Sequence, residues 1–383
     1  MAKSPLHYCA TDNEVYELLM SGKQRITDSV LHAVARNRGI FYSAQDSREH
    51  LISNLSLLTY GFSELQGLLG QRENPARAEK LTSVKLNTAL SLEEVRSACA
   101  EYGKTAATDE KVVSHQEGAN KFVLKVGYSE LDYSKTRLLQ RRKRDAEIEF
   151  FVGENGTTIR LPATEKANEI IAKVKDVLDA SRKTDIPAER IELTDLVSPE
   201  ARTHFFTSLV AGLSGYNLVN VTNIRIDSSH LPPPDLAADE EDGDEEVADD
   251  ESDRNVEETM ISAIENVALK GSSLLGTPEY QELRRKGFYT TFIVWRSKQA
   301  QTPYDIVEFE AGFDAPRKGT GFKYNVKGVH RYINGRYTTT LRPLTKDEKA
   351  TLLALIEQTA RRVLAELRAA QTARLSDGPE EPA

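Results

Sequence analysis

Apolar positions along the first seventy residues recur at helical spacing. Thr11 and Glu14 form a Thr-x-x-Glu capping box, in which the hydroxyl and the carboxylate each satisfy a free backbone N–H. A short helix is therefore predicted to about Met20, ended by Gly22. Ile26, Val30, Leu31 and Val34 then follow a 3.6-residue period, and Gly39 offers the positive φ that terminates a helix. Residues 41–46 read as extended, residues 47–58 as a second helix with Leu51, Ile52 and Leu55 on one side, and residues 62–71 as a further turn or two.

The middle of the chain changes period. Ser91 and Glu94 make another capping box ahead of a helix with Val95, Cys99 and Tyr102 on one stripe. Residues 121–128 and 146–153 read as strands, and Gly153-Glu-Asn-Gly156 supplies the turn into a third, so the last two form a hairpin. A long helix follows with Ile170, Ile171, Val174 and Val177 inward. Ser198-Pro199 caps the next helix, which buries Phe205, Leu209, Val210 and Leu213, and residues 216–226 read as a strand. Further on, a helix is predicted over 258–269, strands over 288–296, 305–313 and 322–332, and a closing amphipathic helix capped by Thr345 and Glu348. Residues 156–180 and 337–365 share a Thr-Thr-aliphatic-Arg strand end, a proline, a threonine and an aliphatic helix, a match that either two related strand-hairpin-helix units or the common composition of strand-loop-helix junctions would give.

Charge alters this picture at one place. Fourteen acids and one base, Arg254, occupy the 24 residues from Asp235 to Glu258, so a chain of net charge -9 carries a tract of -13 and a remainder of +4. Pro232, Pro233 and Pro234 open the tract, which holds no aromatic residue and is expected to be a disordered acidic linker. From Arg284 to Arg342 twelve Lys/Arg face four acids, interleaved with aromatic residues, a pattern of nucleic-acid-binding surfaces.

The N-terminal pattern, Ile26, Leu31, Val34, Arg38-Gly39-Ile40 and Leu51-Ile52-x-x-Leu55, resembles the SAP family of small helix, extended loop, helix DNA-binding modules over residues 26–56. Gln45 and Asp46 stand where that family often has Gly-Lys. The resemblance implies backbone-weighted DNA contact, here through Arg36, Arg38 and Arg48.

Two more basic groups are candidates for phosphate contact. Arg141, Arg142, Lys143 and Arg144 form one run. Arg317, Lys318, Lys323, Arg331, Tyr332 and Arg336 form the other, where glycines admit a phosphate, arginines pair with its oxygens and tyrosines stack on bases. Either could instead be a solvated face or a polar hairpin tip. The sequence lacks a Gly-x-x-x-x-Gly-Lys-Ser/Thr loop and a dinucleotide fingerprint, and its seven histidines are scattered, so no cofactor or metal is expected. Asp305, Glu308 and Glu310 on a strand are the nearest approach to a metal-dependent nuclease pattern, but the lysine of such a triad is missing, and a polar outer face explains the same letters.

The expected fold is α+β: a small helical N-terminal module (1–72), a mixed domain (73–230), the acidic linker (231–257) and a second mixed domain (258–383) ending in a long helix. The expected function is non-enzymatic binding of DNA, or RNA, within a prokaryotic DNA-handling or antiviral defence assembly. The alternatives are an interaction subunit whose C-terminal helix docks on a partner protein through Leu352, Leu353, Ile356, Ala360, Val363, Leu364 and Leu367, and a divergent nuclease. With no signal-like start, no apolar run near the roughly 20 residues of a membrane span and only two cysteines, a cytoplasmic location is expected.

Overall fold

The computed structural model describes residues 10–23, 25–72, 79–108, 110–131, 133, 138, 140–228, 266–271 and 274–376. The acidic linker lies outside the described residues. The chain has an α+β architecture and divides into two compact units. The first comprises residues 1–78, 99–116 and 123–147, and the second 79–98, 117–122 and 148–383.

The first unit opens with four helices, α1 (Asp12–Ser21), α2 (Asp28–Arg36), α3 (Arg48–Ser56) and α4 (Phe62–Arg72). Each is below the ~12–15 residues at which an isolated helix becomes marginally stable, so their order comes from packing. Leu18, Leu19, Ile26, Leu31, Leu51, Ile52 and Leu55 supply it, each at most 1% exposed. The Thr11 capping box forms, and Gly39 takes φ +73° after α2. This unit also holds the second half of α5 (Leu92–Thr105), the strand β2 (Lys111–Gln116), and most of β3 (Lys121–Leu131) and the start of β4 (Arg141–Gly153). Burial among apolar neighbours pushes the Cys99 thiol up to about 12, so it stays protonated and unreactive.

The second unit is built on an antiparallel sheet. Its strands are β1 (Leu81–Leu86), β5 (Gly156–Pro162), β6 (Ala188–Arg190), β7 (Tyr216–Ser228), β8 (Asn266–Lys270), β9 (Phe288–Gln299), β10 (Ile306–Ala315) and β11 (Thr320–His330). Neighbours run β5-β1-β11-β10-β9-β7-β8, with β6 also on β1. A small hairpin, β12 (Tyr332–Ile333) and β13 (Arg336–Tyr337), follows β11.

Alternation along the strands decides what each face meets. Trp295 of β9, Phe309 and Phe313 of β10, and Phe322, Tyr324 and Val326 of β11 all point one way. They are covered by Phe205, Phe206, Leu209 and Val210 of α7 (Pro199–Ala211) and by Leu352, Leu353, Ile356, Ala360, Val363 and Leu364 of α9 (Lys346–Ser376). The apolar stripe that could have offered α9 to a partner protein is thus spent on the chain's own core. Beside it runs a buried polar seam: Arg160 of β5 donates to Glu357 of α9 at 2.5 and 3.2 Å and to Glu149 at 3.2 Å, and the Tyr324 hydroxyl also donates to Glu357. Arg160 faces α9, so Ile159 and Leu161 face the other side, and α6 (Glu165–Arg182) packs on β5 by burying Ile170, Ile171, Val174 and Leu178.

Some elements differ from the sequence-based expectation. Residues 266–270, the end of the expected helix over 258–269, form β8, because their alternating Val267 and Leu269 pair along the open edge of β7. The central strand β1 and the helix α8 (Pro278–Arg285), capped by Thr277 with proline in its first turn, had no counterpart in the expectation. A hairpin followed by a helix occurs twice: β4, β5 and α6, then β10, β11 and, after β12 and β13, α9. The strand matching β5 in this order is β11. The Thr-Thr segment after Tyr337 contributes only a bridge from Arg342 to Val329.

Candidate nucleic-acid interface

The face of β7, β9, β10 and β11 turned away from α7 and α9 carries polar and basic side chains around Phe292, Val294 and Gly312. Its first row is Arg225, Phe292, Gly312 and Lys323, placed opposite one another by strand register. Glycine at 312 is required: a Cβ there would stand 2.7 Å from Phe292 Cδ2 and 3.0 Å from the Thr291 carbonyl. The Phe292 ring therefore lies across β10. Lys80 Nζ sits 4.3 Å from its centroid and the Arg225 guanidinium 5.1 Å, both within cation–π range.

Two cations thus lie over one ring, and Lys323 stands in the same row across Gly312. Desolvation, and then the like charges of Lys80 and Arg225, press the Lys323 ammonium below its ordinary pKa, with Glu310 only partly opposing them. Lys323 also pairs with Asp314, whose half-exposed carboxylate is screened by water.

The next rows continue the pattern. Asn223, Val294, Glu310 and Asn325 form the second, where Asn325 Nδ2 donates to Glu310 at 3.3 Å. In the third, Arg296 and Lys327 hold the two oxygens of buried Glu308 at 2.7 and 2.9 Å and depress its pKa against the cost of burial, leaving the trio one positive charge. Among the described residues, nothing donates to the buried Oδ1 of Asn220 or Asn223 on β7. Lys298 ends the β9 row, 5.6 Å from the Tyr304 ring. Arg225, Lys80, Lys323, Arg296, Lys327 and Lys298 are six cations against Glu308, Glu310 and Asp314.

The residues expected from sequence are distributed as follows. Arg48 is turned inward, donating to Asp28 at 2.7 Å and to the carbonyls of Leu19 and Ile26 at 3.1 and 2.8 Å. Arg38 pairs with Glu64 and stacks on Tyr60 at 4.3 Å. Arg36 is exposed at the end of α2. Arg141 and Arg142 start β4, Lys143 is exposed, and Arg144 pairs with Glu130 at 2.9 Å. Arg317 approaches Asp227 at 3.5 Å in the β10–β11 turn beside exposed Lys318.

Arg331, Tyr332 and Arg336 lie at the far end of β11 from Lys323, roughly 25–30 Å away at ~3.4 Å per residue. The C-terminal group is thus two groups at two ends of one strand. Lys80 and Arg225 were missed because they come from separate segments, and only the sheet brings them to Lys323, whereas Arg296 belongs to the basic stretch from Arg284 to Arg342.

Asp305, Glu308 and Glu310 do not assemble. Asp305 holds Arg331 at 2.9 Å, Glu308 is paired as above, and Glu310 accepts from Asn325. Among the described residues, no three His, Cys, Asp or Glu side chains gather to hold a metal ion, and no helix is long and apolar enough to cross a membrane. Compared with protein families and with curated proteins, the chain matches no family model and no curated sequence.

Proposed function

We propose that this chain binds nucleic acid, DNA in the first instance, without cleaving it, through the face bearing Lys80, Arg225, Phe292 and Lys323. The observation that carries the reading is the excess of cations on this face, with Lys80 and Arg225 over the Phe292 ring and Lys323 in the same row across Gly312. Such an excess attracts phosphate.

In this reading the SAP-like helical module contributes exposed Arg36, while Arg38 and Arg48 hold the module together. Binding of the full chain to labelled DNA and RNA, followed by anisotropy across a salt series with Mg2+ present and products run on a gel, tests it. Affinity falling steeply with salt, with the strands intact, is expected. No salt-dependent binding to either polymer removes the proposal, and Mg2+-dependent cleavage replaces it with a nuclease.

A further inference from the structure

At the other end of β11 the chain spends buried charge on holding an exposed hairpin. Asp305, 2% exposed, accepts from the Tyr332 N–H at 2.8 Å and from Arg331 at 2.9 Å, and Arg331 makes a two-pronged pair with Glu348 at 2.7 Å. Thr338 N–H closes on the Arg331 carbonyl at 3.0 Å, and the His330 ring bonds the Thr338 carbonyl at 2.8 Å. A two-stranded hairpin is marginal by itself in water, so this base is what orders it.

The ordered part buries little in return. Asn334 and Gly335, at φ +50° and +80°, make the tight turn, and beside it Ile333 is 56% and Tyr332 40% exposed. The Tyr332 and Tyr337 rings lie 4.9 Å apart at 48°. The Tyr337 hydroxyl donates to the Tyr304 carbonyl at 3.2 Å. Tyr304 is 40% exposed and stands at φ +62°, a costly conformation for an aromatic residue. Three tyrosines are thus fixed at one exposed corner, with Lys298 over Tyr304 and exposed Arg336 beside Tyr337. Rigid aromatic faces ringed by cations complement a base and its phosphate.

We infer that the bound nucleic acid is single-stranded and that one of its unpaired bases stacks on the Tyr332–Tyr337 hairpin. The inference rests on the nucleic-acid reading of the sheet face. The β9 row from Phe292 to Lys298 leads to this corner and ends in Arg296 and Lys298, two residues apart, so an extended strand would follow it with phosphates on these two cations. A duplex keeps its bases stacked inside and has none to offer.

The test uses the full chain and short single-stranded DNA and RNA, each with and without an abasic position, and the matching duplex. Wild type is expected to bind the intact single strand about tenfold more tightly than the abasic one, the size of a single base–aromatic stack. That difference should vanish in Tyr332→Leu/Tyr337→Leu and persist in Tyr332→Phe/Tyr337→Phe, which keeps the rings. Equal affinity for intact and abasic strands, or for strand and duplex, overturns the stacking inference and leaves the sheet-face reading intact. Failure of every nucleic acid to bind overturns both, and leaves the corner to a peptide partner.

Discussion

Arg48 in the helical unit and Lys323 in the sheet unit look alike in the sequence, each a basic residue in a polar stretch with glycine or an acid nearby. Their surroundings are opposite. Arg48 spends its guanidinium on Asp28 and on two carbonyls that cap the chain between α1 and α2. Arg160 does the same more deeply, 2% exposed between Glu357 and Glu149. Among the described residues, Lys323 instead has only the half-exposed Asp314 as an ionic partner and is pressed by two other cations. What makes a cation part of the fold or part of an interface is the acceptors within reach, and those are set by tertiary structure.

That contrast can be broken in several ways, from large effects to small. Arg160→Ala leaves Glu357 buried without its partner and should cost about 3–5 kcal/mol, read from urea denaturation. Arg48→Ala strands two carbonyls and should cost about 1–3 kcal/mol, with DNA affinity per folded molecule unchanged. Gly312→Ala drives a methyl into Phe292 and should cost about 1–3 kcal/mol, and, unlike Arg48→Ala, it should also weaken DNA binding by displacing the ring. Lys323→Ala should leave the urea midpoint unchanged or raised, because the like-charge repulsion it removes outweighs its water-screened pair with Asp314, while lowering the salt slope of single-strand binding by about 0.7.

The smallest effect is in pH. The folded Lys323 pKa lies below its ordinary value, so between the two the unfolded chain binds more protons and stability rises with pH across that window. Binding runs the other way: phosphate favours the ammonium, so DNA affinity should fall as pH climbs through the folded pKa. Titration at constant ionic strength checks both signs, and Lys323→Ala should flatten them.

Local chemistry was legible wherever one segment held all of it. The capping boxes at Thr11, Ser91 and Thr345 form as their spacing implies. The β4–β5 turn closes at Gly153 and Gly156, and the α9 stripe is apolar for the reason its period gives. Register was not legible. β1 is a six-residue strand between helices, too short to announce itself, yet the sheet's centre and Lys80 depend on it. Residues 266–270 carry an apolar pattern that serves helix or strand equally, and the unpaired edge of β7 decided it. Lys323 could be named from its neighbours in sequence. Phe292 lies in the basic and aromatic stretch that the sequence singles out, but Arg225 and Lys80 could not be named, since 98 residues of chain separate Arg225 from Lys323 and only strand pairing joins them.

The most direct test is the slope of log affinity against log salt for single-stranded DNA, measured for wild type, Arg225→Ala/Lys323→Ala and Arg48→Ala. With about 0.7 of a counter-ion released per phosphate contact on a single strand, the double variant should lose roughly 1.4 from the slope. Arg48→Ala should keep the wild-type slope at temperatures where it is folded. A double variant with an unchanged slope, or an Arg48 variant that loses as much, would contradict the assignment of the sheet face as the phosphate-binding surface.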